Sequence, residues 1–114
     1  MLDKILAFIA QKLQILTAEA TTNVSSFQFY KRGKIVTCVS RYPSLLNPTT
    51  AWGYVGTLPQ EYRPPMDIQA PCLWGNYAAV NGLIQIKTNG QVSVYASSKQ
   101  TSSQSWTAFA YSVN

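Results

Sequence analysis

Residues 82–98 read GLIQIKTNGQVSVYASS. Leu83, Ile84 and Ile86 on one arm and Val92 and Val94 on the other flank Asn89-Gly90, a dipeptide that favours the type I′ hairpin turn. Strand-forming residues on both sides of such a turn predict two antiparallel strands. With no helical period within reach of it, this hairpin sets the expectation for the chain around it.

Working outward, the Ser/Thr/Gln stretch SSKQTSSQS (97–105) leads to WTAFAYSVN (106–114), where Trp106, Ala108, Ala110 and Ser112 alternate with Thr107, Phe109, Tyr111 and Val113. That is a terminal strand. Upstream, DIQAPCLWGN (67–76) reads as a strand running into the loop WGNYAAVNG (74–82). Before it, AWGYVGTL (51–58) is a strand closed by LPQEYRPP (58–65), whose three prolines forbid helix and disfavour a central strand. FQFYKRGKIVTCVSRY (27–42) alternates large apolar and polar residues around Arg32-Gly33, which predicts a further hairpin, ended by the polar loop PSLLNPTT (43–50). About seven strands at this spacing predict an antiparallel β-sandwich or jelly roll over residues 21–114.

The first twenty residues, MLDKILAFIAQKLQILTAEA, contain neither Gly nor Pro and predict a helix. Leu2, Leu6, Ile9, Leu13, Leu16 and Ala20 follow at intervals of 4, 3, 4, 3 and 4, a heptad seam that wants partner helices. Leu at a with Ile at one d leans toward three or more strands. Ile5, Phe8 and Ile15 widen the apolar face, so packing onto the chain's own domain is the competing assignment. A stalk over residues 1–20, joined to the head by the polar stretch TAEATTNVSS, is the expectation, and Met1 reads as the start of a complete product.

GTLPQEYRPP from Gly56, GLIQIKTNGQV from Gly82 and FAYSV from Phe109, in that order and spacing, resemble a recurring pattern in the distal head domains of bacteriophage tail-fibre and baseplate receptor-binding proteins. The resemblance covers residues 53–114 and departs from the pattern at Glu61, where Gly is usual. It implies a virion protein of the phage tail. Its heads would form a homotrimer on an N-terminal helical stalk, dock onto other tail or baseplate proteins and attach to host cell-surface saccharide. An architectural trimer that caps or joins fibre parts without binding a ligand is the alternative. An unrelated trimeric jelly-roll ligand is a third.

Charged residues make up only 11% of the chain against 46% hydrophobic, with a net charge of +5. The cations are scattered except for Lys31, Arg32 and Lys34, so no basic stripe of the kind nucleic acid requires is present. No stretch approaches the roughly 20 apolar residues of a membrane helix. Cys38 and Cys72 stand 34 positions apart, a spacing that fits neither zinc nor redox motifs. They read as buried thiols, with a disulfide across the two sheets left open. The chain has no His, which removes Ser-His-Asp and Cys-His triads and His metal sites. Of the carboxylates Asp3, Glu19, Glu61 and Asp67, only Glu61 and Asp67 fall where a glycosidase pair would be needed, and they read as surface groups of a crossing loop. No enzyme activity, metal or cofactor is expected.

A binding surface remains. A sugar ring offers C–H patches and hydroxyls and little charge, so aromatic faces and short polar side chains are the groups to seek. Trp52, Tyr54, Tyr62, Trp74, Tyr77 and Trp106 are the aromatic candidates. Trp52, Tyr54 and Trp106 are assigned to core or protomer-interface packing, and Tyr62 to structure within the crossing. Trp74, Asn76, Tyr77 and Asn81 gather on one loop, where binding residues concentrate on a rigid scaffold, and are taken as the ligand site, joined by Asp67 or Arg63 of a neighbouring protomer.

Overall fold

The computed structural model describes residues 4–5, 19–40, 45–75 and 79–113. The heptad positions Leu2 to Leu16 lie outside the described residues, and with them the helix and coiled coil. Ala20, the last position of that seam, opens a strand.

Two antiparallel sheets face each other across one hydrophobic core. The first takes β1 (Ala20–Val24), β2 (Phe27–Arg32), β3 (Ile35–Ser40) and the last strand, β9 (Ala108–Ser112), in that order. The second holds β4 (Gly53–Thr57), β5 (Ile68–Trp74), β6 (Gly82–Ile86), β7 (Gln91–Ala96) and β8 (Ser105–Trp106), ordered β4-β7-β6-β5-β8. Placing β4 beside β7, past the β5-β6-β7 meander, is the Greek-key arrangement. Its long connection is the proline-bearing crossing, which holds a single 3-10 turn at Gln60–Tyr62.

Period-two alternation supplies the core. Phe27, Phe29, Val36 and Cys38 point inward from the first sheet; Ala70, Cys72, Trp74, Ile84, Ile86, Val92, Val94 and Ala96 point inward from the second. Phe109 and Tyr111 pack against this cluster from β9. Burying each large side chain contributes about 1.5–3 kcal/mol, so these strands hold together through their inward faces.

The stretch TAEATTNVSS, a polar joint by its composition, contains the strand β1. Its pairing with β2 runs from Ala20↔Lys31 to Val24↔Phe27. Only Val24 of the five residues is buried, so the alternation that marks a strand is nearly invisible at this edge.

The turn at Asn89-Gly90 also differs from expectation. The Gly90 N–H donates to the Lys87 carbonyl at 2.9 Å and the Lys87 N–H to the Gln91 carbonyl at 3.0 Å, which makes a three-residue loop of Thr88, Asn89 and Gly90. Within it only Gly90 has a positive φ, +88°, whereas a type I′ turn needs two such residues. The longer loop is held from outside: Asp67 Oδ1 accepts the Thr88 N–H at 2.9 Å, and the Leu58 N–H donates to the Gly90 carbonyl at 2.9 Å. Asn89 Oδ1 accepts the Gln91 N–H at 3.0 Å.

The chain changes sheets at Thr107, between β8 and β9. The Thr107 N–H donates to Ser40 Oγ at 2.7 Å, its carbonyl accepts the Ser40 N–H at 3.1 Å, and its hydroxyl donates to the Pro71 carbonyl at 2.7 Å. One residue thus ties β3 to β5. Pro71 is tolerated inside β5 because β8 pairs with that strand only at Leu73 and Trp74, leaving it an edge at the proline.

Candidate functional site

The loop chosen from sequence as the ligand site is anchored in the core. Trp74 has 0% of its surface exposed, and its indole N–H donates to the Tyr95 carbonyl at 3.1 Å. Asn81, 7% exposed, spends both ends of its amide on one residue: Oδ1 accepts the Trp74 N–H at 2.7 Å and Nδ2 donates to the Trp74 carbonyl at 3.3 Å. Neither presents a face to a ligand. Asn76 and Tyr77 lie outside the described residues.

Arg63 and Asp67 stand at the other end of β5. Seven residues of extended chain separate Asp67 from Trp74, about 23 Å. Arg63 Nε donates to the Leu58 carbonyl at 3.0 Å, and Gly90 lies so close that a Cβ there would sit 2.6 Å from Nε and 2.7 Å from that carbonyl. With Asp67 bonded to Thr88, these residues lock the crossing to the β6-β7 turn. These contacts bring the Tyr-Arg-Pro and Asn-Gly segments together in space. Tyr62 is buried, and its carbonyl accepts the Tyr111 hydroxyl at 2.8 Å. Gln60, Glu61, Arg63, Pro64, Thr88 and Val113 line a recess of about 570 Å³ at this corner. Its walls mix Glu61 with Arg63 and carry no aromatic ring.

Aromatic surface is found instead on the outer face of the five-stranded sheet. Trp52, Tyr54 and Trp106 are 43%, 62% and 52% exposed, so none of them belongs to the core. The register puts Pro71, Leu83 and Tyr95 in one row across β5, β6 and β7. At one margin Trp52 leans on Tyr95, with ring centroids 5.6 Å apart and planes inclined at 42°. At the other, Trp106 of β8 pairs with Leu73 of β5. A second row, one pleat away, runs Gln69, Gln85, Ser93, Tyr54. The Tyr54 hydroxyl meets Thr57 Oγ1 at 2.5 Å.

These positions share the outward parity of each strand, opposite to Ala70, Cys72 and Trp74 in β5 and to Val92, Val94 and Ala96 in β7. The sequence alone does not mark out Tyr95, Gln69, Gln85 and Ser93, because alternation groups them into one set without saying which set is covered.

Burial pushes the Cys72 thiol up to about 12, and both burial and Cys72 push Cys38 up. Both are free. Burial, Cys38 and Tyr62 likewise raise Tyr111. A thiol held neutral is a poor nucleophile, so these two cysteines act as small apolar groups. Among the described residues no cluster of acidic or cysteine side chains could hold a metal ion, and no helix is long and apolar enough to cross a membrane.

Compared with known proteins, the chain matches no family model and no curated protein.

Proposed function

We propose that this chain is the β-sandwich head of an attachment protein of the phage-tail type, which holds host cell-surface saccharide and carries out no reaction. The observation that carries the reading is the pair of solvent-facing indoles, Trp52 and Trp106, at opposite margins of one sheet face built from aromatic, amide and hydroxyl side chains. Such a face stacks on the C–H surface of a sugar ring and exchanges hydrogen bonds with its hydroxyls. The binding residues are then Trp52, Tyr54, Tyr95 and Trp106, not the Trp74 loop. The helical segment ahead of β1 gathers the heads into a trimer and joins them to other tail or baseplate proteins in the virion. Single sites of this open kind bind weakly, and several heads acting together supply the hold.

The test is attachment of the labelled full chain to intact bacteria and to deproteinised wall polysaccharide from a panel of species. Attachment that falls with Trp106→Ala and with Trp52→Ala supports the reading. No attachment to any sample, or attachment indifferent to both changes, overturns it.

The architectural reading has one observation of its own. On the outer face of the four-stranded sheet the β3-β9 margin presents Thr37, Ala108, Ala110 and Ser112 with an exposed Ile35, small side chains suited to close contact with another protein, beside the larger Tyr30 and Arg32 of β2. A head that assembles through this face while binding no sugar would fulfil it.

A further inference from the structure

We infer that the outer face of the five-stranded sheet takes an internal stretch of a linear, neutral polysaccharide, laid across the strands, and not a single terminal sugar or a charged polymer. The inference rests on the saccharide reading above and adds to it the class and length of the ligand.

Charge comes first. No Asp, Glu, Lys or Arg occurs in β4, β5, β6, β7 or β8, although the chain as a whole carries +5. A polymer bearing carboxylates or phosphates would have to bring them against strands that hold no cation, the exposed Lys87 lying just past the end of β6, at the cost of their hydration. A neutral chain meets no such penalty.

Hydrogen bonding points the same way. The side chains of Gln69, Gln85 and Ser93 make no hydrogen bond within the described residues, though Gln85 and Ser93 are half-buried. Amides and hydroxyls both donate and accept. The apolar underside of a partner protein would strand them, whereas sugar hydroxyls, which also donate and accept, satisfy them without further arrangement.

The length follows from the register. Tyr95, Leu83 and Pro71 occupy neighbouring strands, and Trp106 stands one strand further. Three strand spacings make a strip of about 14 Å, extended further by Trp52, with room for about three to four sugar rings. The Gln69–Gln85–Ser93–Tyr54 row runs parallel to it about 7 Å away, so an apolar edge and a polar edge repeat together along the strip. That repetition fits a repeating ligand. Both margins end on exposed indoles and not on a closing wall, so a chain can continue past either end.

The experiment is calorimetric titration of the full chain with ladders of one to eight rings of linear neutral glucans, mannans and galactans. Borohydride-reduced samples and polygalacturonate accompany them. Affinity that rises through about four rings and then levels, unaffected by reduction of the chain end, is the expected result. Trp106→Ala should bring the plateau to shorter chains and Gln85→Ala should weaken binding about fivefold, both with an unchanged circular dichroism spectrum. A single sugar held as tightly as its octamer, or polygalacturonate preferred over every neutral chain, overturns this inference and leaves saccharide attachment standing. If no sugar is held at all, both readings fall, and a drop in solution mass on Trp106→Ala would then mark the face as a contact between copies of the chain.

Discussion

The indole N–H of Trp74 donates to the Tyr95 carbonyl at 3.1 Å, while the Tyr95 ring stands on the opposite side of the sheet against Trp52. Residue 95 is thus held through its backbone by the core and displays its side chain to solvent. This bond ties the candidate face to the core, and Asn81 fastens the Trp74 backbone from β6's end.

Trp74→Ala should remove about 3–5 kcal/mol, a large part of the stability of a domain this size. Trp74→Phe keeps the volume roughly and loses the bond to Tyr95, at about 1–2 kcal/mol. Urea denaturation separates the two, and the Phe variant, still folded, should attach to saccharide as the parent does. Loss of attachment in a folded Trp74→Phe protein would return the ligand to the Trp74 loop.

Gly82 lies beneath that indole. A Cβ there would stand 2.3 Å from Trp74 Nε1 and 2.4 Å from the Tyr95 carbonyl. The second neighbour is backbone and cannot swing away. Gly82→Ala should therefore cost about 3 kcal/mol, read as a drop in the denaturation midpoint, and an unchanged midpoint would contradict the packing described.

Gly90→Ala tests the lock between the crossing and the β6-β7 turn. Its φ of +88° disfavours any side chain, and Arg63 and the Leu58 carbonyl fill the space. A loss of about 2–3 kcal/mol is expected. Arg63→Ala should cost about 1 kcal/mol through the bond to Leu58, with saccharide attachment intact. Attachment lost on Arg63→Ala in a protein of near-parental stability would show that Arg63 meets the ligand.

Trp52→Ala and Trp106→Ala remove side chains that are about half exposed, so each should change stability by no more than about 1 kcal/mol. Thermal melting checks this. A large fall in melting temperature would mean that these rings support the fold, and their effect on attachment would lose its meaning.

The buried thiols predict an alkaline limit. Cys72 is pushed from 9.0 up to about 12, and Cys38 is also raised, so the folded chain holds both neutral where the unfolded chain ionises. Their contribution is full below about pH 9 and is lost as pH rises from there toward 12. The urea midpoint should be level between pH 6 and 8 and fall steadily above 9, less steeply in Cys72→Val. A midpoint unchanged at pH 10.5 would refute this. At pH 8 a thiol reagent should react with neither cysteine until the protein is denatured.

Much of the architecture is legible in the residues themselves. FQFYKRGKIVTCVS alternates cleanly, and Gly33, with φ +57°, turns it. GLIQIKTNGQV shows its hairpin, although the loop length depends on Asp67 and Leu58, which no local rule includes. ATTNV does not announce itself as a strand because one buried residue makes no period. The site was less visible. Trp74 precedes a Gly-Asn loop and so looks like a displayed aromatic, yet it shares parity with Ala70 and Cys72 and follows them inward.

What the sequence determined by itself is where most of the strands and turns fall, β1 and the break at Thr107 excepted, because alternation and turn chemistry are local. It also divided each strand into two sets of side chains. Which set is covered was decided only by the tertiary structure. In β5 both sets contain apolar residues, Ala70, Cys72 and Trp74 against Pro71 and Leu73, and hydrophobicity alone does not choose between them. The choice is made when Phe27, Phe29, Val36 and Cys38 of the other sheet close over one face, burying Trp74 and leaving Trp52, Tyr54, Tyr95 and Trp106 on the other.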